Sequence, residues 1–523
     1  MARIIFISLI FFCLEKGFSQ PFDLIIKNGT LYTGSGSKAF IQASIAIKGN
    51  RIVKIAPKIK SFSKRIIDAK GHIVSPGFID LHAHLEPLTL DPEAKSHVMQ
   101  GVTTALGGPD GGGPLPLADY FKELEALGIG MNVGYLVGHN SVRNEIMGME
   151  NRAPTDDEME KMKLLIDANM KAGAFGISTG LKYLPGSFSN VDEVIELSKI
   201  ASKNGGIYTS HLREEGLGLI DGVKEAILIS REANIPVVLT HHKAIGIPMW
   251  GASKLTLALV DSARQKNLDI MMDQYPYTAS FTGIGVLIPS WALEKNKNID
   301  FAARIANPVL RDSIRKGIVF NLLNDRGGGD LKKIQFGQFG WKPHLEGKTL
   351  YDWAILEKLE PNMENGADLV IQAQLHQGAG CIFHVISEED VRRIMQHPMT
   401  MIASDGRLSE PGKGHPHPRA YGTFPRVLGH YAREEKVITL SQALYKMTYL
   451  PAQRMGLKDR GLLKVGNFAD ITIFNPKTIK DKSTFENPHQ YPIGIPFVLV
   501  NGKVVVDHGV YKDLRAGMVL KKQ

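Results

Sequence analysis

The stretch GFIDLHAH, residues 77–84, decides the fold of this 523-residue chain. Its first residues form a short apolar run, and it ends in two histidines that are separated by a single alanine. Residues i and i+2 of a strand point the same way, so His82 and His84 can both reach one metal ion. The stretch therefore predicts a strand that presents metal ligands at its carboxyl end.

Seven further short apolar runs follow, and helical patterns such as residues 191–204 separate them. Strands that alternate with helices are typical of βα units around a parallel sheet. Eight runs predict an α/β fold, namely a (β/α)8 barrel whose active site lies at the carboxyl ends of the strands. The other seven runs are GVTTALGG (101–108), MNVGYLVGH (131–139), GAFGISTGL (173–181), GIYTSHL (206–212), IPVVLTHH (235–242), LDIMMDQYPY (268–277) and TMIASDG (400–406).

Four strands of this predicted barrel end in residues that can bind a metal. The first strand ends in His82 and His84. The fifth run ends near His211, the sixth near His241 and the eighth near Asp405. Five such groups at matching strand ends indicate a metal site. Imidazoles with a carboxylate suit Zn²⁺ best, and other divalent transition metals also fit. The pattern is compatible with one or two ions per chain.

The two ends of the chain have a different pattern. Residues 20–74 alternate like short strands with turn signals such as Asn28-Gly29, and residues 455–523 contain Asn501-Gly502 between two valine-rich runs. We expect these segments to pair into one small composite β-sandwich, with the barrel, residues 75–454, inserted between them. The long gap before the eighth run predicts an insertion at about residues 282–341, either a lid over the site or a surface elaboration.

The composition excludes several classes of protein. Hydrophobic residues make up 43% and charged residues 22% of the chain, which excludes a wholly disordered protein. The net charge of +9 is spread without any block of like charges, so the sequence predicts no nucleic-acid partner. A small-molecule substrate is the expected partner, and no pattern selects an oligomeric state.

The N-terminus predicts export. Arg3 precedes an apolar run at residues 4–14, which is shorter than the roughly 20 residues that cross a bilayer, and small residues follow at Gly17 and Ser19. Residues 1–19 are therefore expected to be a cleaved signal peptide, with an uncleaved anchor as the alternative. After cleavage we expect a periplasmic or secreted protein with no stable membrane span and no internal disulfide.

Four motifs together resemble the amidohydrolase superfamily, and within it the D-aminoacylase (N-acyl-D-amino-acid deacylase) family. They are VSPGFIDLHAH (74–84), THHK (240–243), ASDG (403–406) and HPHPRAYGTFPRVLG (415–429), and the resemblance runs from DLIIKNGT (23–30) to VNGKVVVDHG (500–509). The resemblance implies a barrel of amidohydrolase type with a composite β-sandwich. It also implies a metal-dependent enzyme that cleaves the linear amide bond of N-acyl-D-amino acids to a carboxylic acid and an amino acid. With the signal peptide predicted above, we expect this enzyme to be exported.

The resemblance further implies roles for individual residues. The metal ligands would be His82, His84, His211, His241 and Asp405, and Asp405 would also act as general acid/base. A hydroxide generated at the metal would attack the amide carbonyl, and Asp405 would return a proton to the leaving amine. The residues that would contact the substrate are His242, Lys243, Tyr275 and Arg419.

Two positions have more than one interpretation. Asp110 stands where the family usually carries a metal-binding cysteine, and it either replaces the thiolate or caps a glycine-rich turn. Lys182 follows the fourth strand, where several amidohydrolases present a carboxylated lysine. It is predicted either as such a metal ligand, bridging two ions, or as a lysine that contacts substrate or solvent.

Two other functions compete with the deacylase. A cyclic-amide hydrolase of the dihydroorotase or hydantoinase type would keep the fold and the metal, and a non-catalytic binding barrel would be expected to have lost ligands. Lys243 and Arg419 favour a linear substrate with a free carboxylate, and the complete ligand set favours an enzyme. The motifs do not select the acyl group or the side chain of the substrate.

Overall fold

The computed structural model describes residues 22–34, 40–294 and 299–522. The segment predicted to be a signal peptide, residues 1–19, lies outside these ranges. Within them, every helix is too short or too polar to pass through a bilayer.

The described chain begins with the strands of a small sheet. The Asn28-Gly29 pair does not separate two strands, as the turn signal predicted, but forms an irregularity inside one long strand, where Asn28 has a φ of +60°. This bend lets one strand pair antiparallel with its successor and parallel with two later strands. The strands are β1 (Phe22–Tyr32), β2 (Phe40–Lys48), β3 (Arg51–Ala56), β4 (Ser63–Asp68) and β5 (Ile73–Pro76).

The first seven predicted runs of the barrel are all strands. Successive strands pair in parallel, and the amphipathic helices between them pack outside. The strands are β6 (Phe78–Asp80) with its extension β7 (Ala83–His84), β8 (Val102–Gly107), β9 (Asn132–Tyr135) with its extension β10 (Val137–Gly138), β11 (Gly176–Gly180), β12 (Ile207–His211), β13 (Val237–Leu239) and β14 (Ile270–Gln274). The helices are α1 (Lys95–Val98), α2 (Leu117–Leu127), α3 (His139–Met147), α4 (Asp156–Lys171), α5 (Val191–Lys203), α6 (Leu219–Ala233) and α7 (Ser253–Gln265).

The insertion is longer than the sequence predicted. It forms a three-stranded antiparallel sheet of β15 (Ser280–Gly283), β16 (Ile334–Gln338) and β17 (Gly380–Phe383), in which β17 is the central strand. The unit therefore closes at Phe383 and not at about residue 341, because its last strand holds the other two together. Its helices are α8 (Ser290–Leu293), α9 (Phe301–Ala306), α10 (Pro308–Asn324), α11 (Leu350–Leu356) and α12 (Met363–Leu375).

The eighth strand closes the barrel. After α13 (Glu388–Gln396), β18 (Thr400–Ile402) pairs with β14, and its extension β19 (Gly406–Arg407) pairs in parallel with β7. On the opposite side, the backbone N–H of Phe175 donates to the carbonyl of Tyr135 at 2.8 Å and joins β9 to β11. The predicted (β/α)8 barrel is thus confirmed. Helices α14 (Arg419–Arg426), α15 (Leu440–Met447) and α16 (Tyr449–Met455) and a π-helix (Val427–Glu434) follow the last strand.

The C-terminal strands complete the small sheet. They are β20 (Ile471–Phe474), β21 (Phe497–Val500), β22 (Lys503–Asp507) and β23 (Val510–Tyr511), and β20 pairs antiparallel with β5. The predicted pairing of the two ends of the chain into one small β unit is thereby confirmed, and in the described residues this unit is a nine-stranded sheet with a core of its own. Side chains from both ends are fully buried there, among them Ile26, Ile45, Ile471 and Leu499.

A buried polar network joins this sheet to the barrel. Arg460 forms an ion pair with Asp470, and both side chains are almost completely buried. The same carboxylate accepts a hydrogen bond from the backbone N–H of Asn501 at 2.7 Å, and the Asn501 amide donates to Asn132 of β9 at 2.7 Å. A buried charge that loses its partner is costly, so this network fixes the two parts of the chain together.

We expect Asp470→Ala to lower the free energy of unfolding by about 3–5 kcal/mol, because the substitution leaves the Arg460 guanidinium buried and unpaired. Chemical denaturation followed by circular dichroism measures this change. The matched control is Asp312→Ala, which removes an exposed carboxylate from an i,i+4 pair with Lys316 and should change stability little. Equal stability of the two variants would contradict the role given to the network.

Candidate metal centre

Five barrel strands bring six possible metal ligands to one place. In a first group, one ligand atom from each of two imidazoles and two carboxylates lies within 4.8 Å of the others. A second group consists of two further imidazoles and one of the same carboxylates. The first group is His82, His84, Asp110 and Asp405, and the second is Asp110, His211 and His241. All five residues predicted from strand ends therefore meet, together with Asp110.

Asp110 lies between the two groups of histidines. Its Oδ1 is 3.5 Å from Nε2 of His82 and 3.4 Å from Nε2 of His241. Its Oδ2 is 3.5 Å from Nε2 of His84 and 3.7 Å from Nδ1 of His211. Of the two interpretations of this residue, this geometry favours the ligand that takes the place of a thiolate.

Three of the six residues have an unusual backbone. The φ angles of Asp110, His241 and Asp405 are +54°, +36° and +50°, in the left-handed region that residues with a Cβ rarely adopt. Such conformations cost about 1–3 kcal/mol each and persist where the surroundings fix them. The backbone N–H of Asp405 donates to the carbonyl of His82 at 2.8 Å, and that of His241 donates to Oδ1 of Asp273 at 2.6 Å. The strand ends are therefore held in the geometry that points the ligands inward.

The donor atoms fit a divalent cation. Nε2 of His82 and Oδ1 of Asp110 are buried without a hydrogen-bond partner among the described residues, and Nδ1 of His211 lies only 2.7 Å from Nε2 of His241. Buried polar atoms are normally hydrogen-bonded, so converging lone pairs without partners are characteristic of a metal site. Nitrogen and carboxylate ligands of this kind suit zinc.

The charge of the site points the same way. Burial opposes the positive charge of His82, but the neighbouring carboxylates of Asp110 and Asp405 outweigh it and raise the pKa of His82 to about 10. The protein alone thus stabilises a positive charge between these two carboxylates. A metal cation can supply that charge.

Glu215 lies close to both histidines of the second group, on the sides of their rings that face away from Asp110. Its Oε1 is 3.1 Å from Nδ1 of His241, and its Oε2 is 3.5 Å from Nε2 of His211. Metal-binding histidines usually have such a partner, which fixes the tautomer and the ring orientation. The sequence analysis missed Glu215, because it lies in the loop after β12 and its contact with His241 depends on the neighbouring strand.

The Glu215 carboxylate is itself neutralised by two buried cations. It forms an ion pair with the Lys243 ammonium and lies 3.3 Å from the guanidinium of Arg326, which comes from the insertion. Burial raises the pKa of Glu215, but Lys243 and the two imidazoles outweigh burial and hold the pKa well below its usual value. Arg326 is a second residue that the sequence analysis did not single out.

Three of the four predicted substrate contacts line the same cavity. Arg419 pairs with Asp405, NH1 to Oδ2 at 2.6 Å, and its guanidinium lies 4.7 Å from the ring centre of Tyr275. The Tyr275 hydroxyl is buried without a hydrogen-bond partner in the described part of the chain. Burial raises the pKa of Asp405, but Arg419 and then His82 outweigh it, so the pKa lies below its usual value and the group is a carboxylate.

The structure does not bring two predicted site residues to the metal ligands. His242 points away from the cavity, with Nε2 2.8 Å from the Thr256 hydroxyl on α7, and burial lowers its pKa to about 3. Lys182 forms an ion pair with Glu214 at 2.7 Å and lines a neighbouring cavity. Of the two interpretations of Lys182, this contact contradicts the carboxylated metal ligand, because the loop after β11 carries Lys182 beyond the strand end and its ammonium pairs with a carboxylate.

The ligand groups open into a cavity of about 740 Å³, a volume that suits a small-molecule substrate. Its walls come from the barrel, the insertion and the loop after the eighth strand. The chemically active lining residues are His84, Asp110, His211, Glu215, His241, Lys243, Tyr275, Arg326, Asp405 and Arg419.

Comparison with known proteins begins with the model of the "Amidohydrolase family", which matches residues 359–506 of this chain. The chain is 34% identical to a D-aminoacylase from Alcaligenes xylosoxydans xylosoxydans over 97% of its length and 99% of the relative's. It is also 34% identical to an N-acyl-D-glutamate deacylase from the same organism, over 96% and 97% of the two chains. The chain therefore belongs to the D-aminoacylase family of metal-dependent amidohydrolases.

A solved structure agrees with this assignment. The N-acyl-D-glutamate deacylase of Bordetella bronchiseptica, in complex with zinc and a phosphonate inhibitor that mimics the tetrahedral intermediate, superposes with a TM-score of 0.81 at 31% identity. The alignment covers 96% of this chain and 100% of that protein. The similarity thus includes the barrel, the insertion and the terminal sheet.

We expect Asp110→Ala to lower the metal content of the dialysed protein by at least about half, because Asp110 is a ligand candidate in both groups. Elemental analysis by mass spectrometry measures the bound metal. Glu410→Ala is the matched control, since Glu410 lines the same cavity but pairs with Lys413 and belongs to neither group. Full metal content in Asp110→Ala would rule out Asp110 as a ligand shared by the two groups.

Proposed function

We propose that this protein hydrolyses N-acyl-D-amino acids to a carboxylic acid and a free D-amino acid, with one or two zinc ions bound. The observation that carries the proposal is the presence, in one buried cavity, of a six-residue ligand set and of Arg419 as a carboxylate-binding cation. The full-length relatives named for the D-aminoacylase and N-acyl-D-glutamate deacylase activities support the stereochemistry and the substrate class.

The residues that would hold the metal are the two groups that share Asp110. When bound, zinc supplies a Lewis acid that lowers the pKa of a water molecule and polarises the carbonyl of the scissile amide. Glu215 keeps the rings of His211 and His241 oriented through their outer nitrogens. The backbone conformation of Asp110 and Asp405 keeps both carboxylates aimed at the same point.

Asp405 moves the proton. Its Oδ1 lies 3.1 Å from Nε2 of His84 and 3.4 Å from Nε2 of His82, so the carboxylate borders the space in which the water is activated. Because Arg419 stabilises its charged form, Asp405 is available as a base at neutral pH. The leaving amine must be protonated, and Asp405 returns the proton that it has taken up.

Arg419 and Tyr275 position the substrate. A guanidinium has five N–H donors, so the contact with Asp405 leaves donors for the carboxylate of the amino acid. The buried Tyr275 hydroxyl gains a partner when it donates to the substrate. Lys243 is occupied by Glu215, so we assign to it the role of holding that carboxylate in place. Together these groups align the scissile bond with the metal ligands.

A substrate comparison tests the proposal. The zinc-loaded protein is incubated with N-acetyl-D-amino acids, their L-enantiomers, their methyl esters and a hydantoin, and the released amine or ring-opened product is quantified. We expect turnover of the D-enantiomers with a free carboxylate and little of the other three. Preferred hydrolysis of the hydantoin would make the protein a cyclic-amide hydrolase, and equal rates for ester and acid would contradict the role of Arg419.

We expect Asp405→Asn to lower kcat by at least about 100-fold, because an amide cannot carry the proton. The variant should keep the fold by circular dichroism, and Glu410→Gln is the control from the same cavity wall. Activity within tenfold of the parent protein would exclude Asp405 as the general acid/base.

We also propose that the protein is exported to the periplasm or secreted, on the strength of the charged, apolar and small-residue pattern of residues 1–19. N-terminal sequencing of the protein from its native host should begin near residue 20. A mature chain that begins at Met1 would contradict cleavage.

A further inference from the structure

A second and larger cavity adjoins the metal cavity. Its volume is about 1630 Å³, and it lies between the barrel loops that follow β11 and β12 and the helices of the insertion. We call it the outer cavity. Its volume exceeds the 300–1,000 Å³ typical of small-ligand pockets, and an N-acetyl group at the metal site would leave it unused.

The two cavities meet at a narrow wall. Four residues, Tyr183, Thr282, Gln338 and Gly340, line both of them. The Tyr183 ring packs against the metal-site imidazole of His211 with 4.5 Å between ring centres, and its hydroxyl accepts a hydrogen bond from Thr282 at 3.1 Å. The outer cavity therefore begins one aromatic ring away from a metal ligand, and the hydrogen bond between Thr282 and Tyr183 joins the insertion to the barrel there.

Part of the wall of the outer cavity is suited to an apolar occupant. Four large apolar side chains remain substantially exposed around it, namely Leu217 (49%), Trp291 (41%), Phe320 (52%) and Leu375 (43%). Its basic residues on the barrel side, Lys182 and Arg213, are already paired with Glu214 and Glu225. Clustered exposed apolar side chains indicate a binding surface, and neutralised cations do not favour an anionic ligand.

The position of the outer cavity selects which part of a substrate could enter it. Arg419, which would bind the carboxylate, follows the eighth strand, whereas Tyr183 follows the fourth strand on the opposite side of the barrel mouth. A substrate whose carboxylate lies on Arg419 and whose amide lies over the metal ligands directs its acyl group toward Tyr183. The amino-acid side chain is not directed along this line.

We propose that the outer cavity is the binding site for the acyl chain of the substrate, and that the preferred substrates are N-acyl-D-amino acids with long alkyl chains. The proposal rests on the proposed deacylase function and names its substrate class. In this arrangement the chain passes the wall at Tyr183 and Thr282 and packs on the apolar side chains of the insertion.

The test compares acyl chains that differ in length on one D-amino acid: acetyl, butyryl, octanoyl and lauroyl. Each fully buried methylene contributes up to about fourfold, so we expect kcat/KM to rise at least about tenfold from acetyl to octanoyl. A flat or falling series overturns the proposal. A dipeptidyl group that outperforms octanoyl also overturns it, because the occupant would then be a peptide.

Variants at Gly283 locate the effect. Gly283 lines only the outer cavity, its backbone is extended, and a Cβ there would meet a single atom, the Ala379 carbonyl oxygen at 4.0 Å. Gly283→Trp places an indole in the outer cavity and should reduce the octanoyl-to-acetyl ratio of kcat/KM at least about fivefold, whereas Gly283→Ala should keep the ratio. Phe320→Ser, on a half-exposed position of α10, should reduce the ratio by a smaller factor. Unchanged ratios in both Gly283→Trp and Phe320→Ser overturn the proposal.

A binding measurement separates this proposal from the deacylase function. Calorimetric titration with free octanoate and acetate should show tighter binding of octanoate, and Gly283→Trp should abolish the difference. If no N-acyl-D-amino acid is hydrolysed but this difference is found, only the proposed reaction fails. If acetyl substrates are hydrolysed and octanoate binds no better than acetate, only the acyl-chain site fails.

Discussion

The attraction between the buried carboxylates of Asp110 and Asp405 and a positive charge between them governs the structure at the barrel mouth. Carboxylates removed from water require a cation or strong donors close by, and four imidazoles and a guanidinium converge on these two. The left-handed backbone at Asp110, His241 and Asp405 is the geometric cost of that convergence. Hydrogen bonds between neighbouring strands at Asp405 and His241 offset it.

The same need for neutralisation extends outward through a second layer. Behind the histidines lies the negative Glu215, and behind Glu215 lie the positive Lys243 and Arg326. Signs alternate from the ligands to the insertion, so each buried charge has a partner of opposite sign. The insertion is consequently coupled to the metal ligands through Arg326, and its position over the barrel depends on the electrostatics of the site.

Much of the fold and of the site could be predicted from the sequence because the deciding signals are local. Eight short apolar runs with intervening helical patterns predict the barrel, and a ligand at the end of a parallel strand must face the same side as its neighbours. The small sheet could be foreseen for the same reason, since Asn501-Gly502 marks a hairpin at one end of the chain.

The features that escaped prediction depend on contacts between distant segments. The orientation of His242 follows from α7, and that of Lys182 follows from Glu214, so neither could be read from position along a strand. Glu215 acquires its role only because His211 and His241 stand on adjacent strands. The insertion ends at Phe383 because β17 returns to the middle of its sheet. No local sequence pattern predicts this return.

The pairing of β5 with β20 also has a consequence for the order of folding. Val74 lies opposite Ile473, so this contact closes a loop of about 400 residues. During synthesis, one edge of β5 has no partner strand until nearly the whole chain has been made. Native contacts between such distant segments form slowly. An unpaired strand edge is a template for association with other chains. The flanking sheet can therefore be completed only after the whole barrel segment between its two halves has been synthesised.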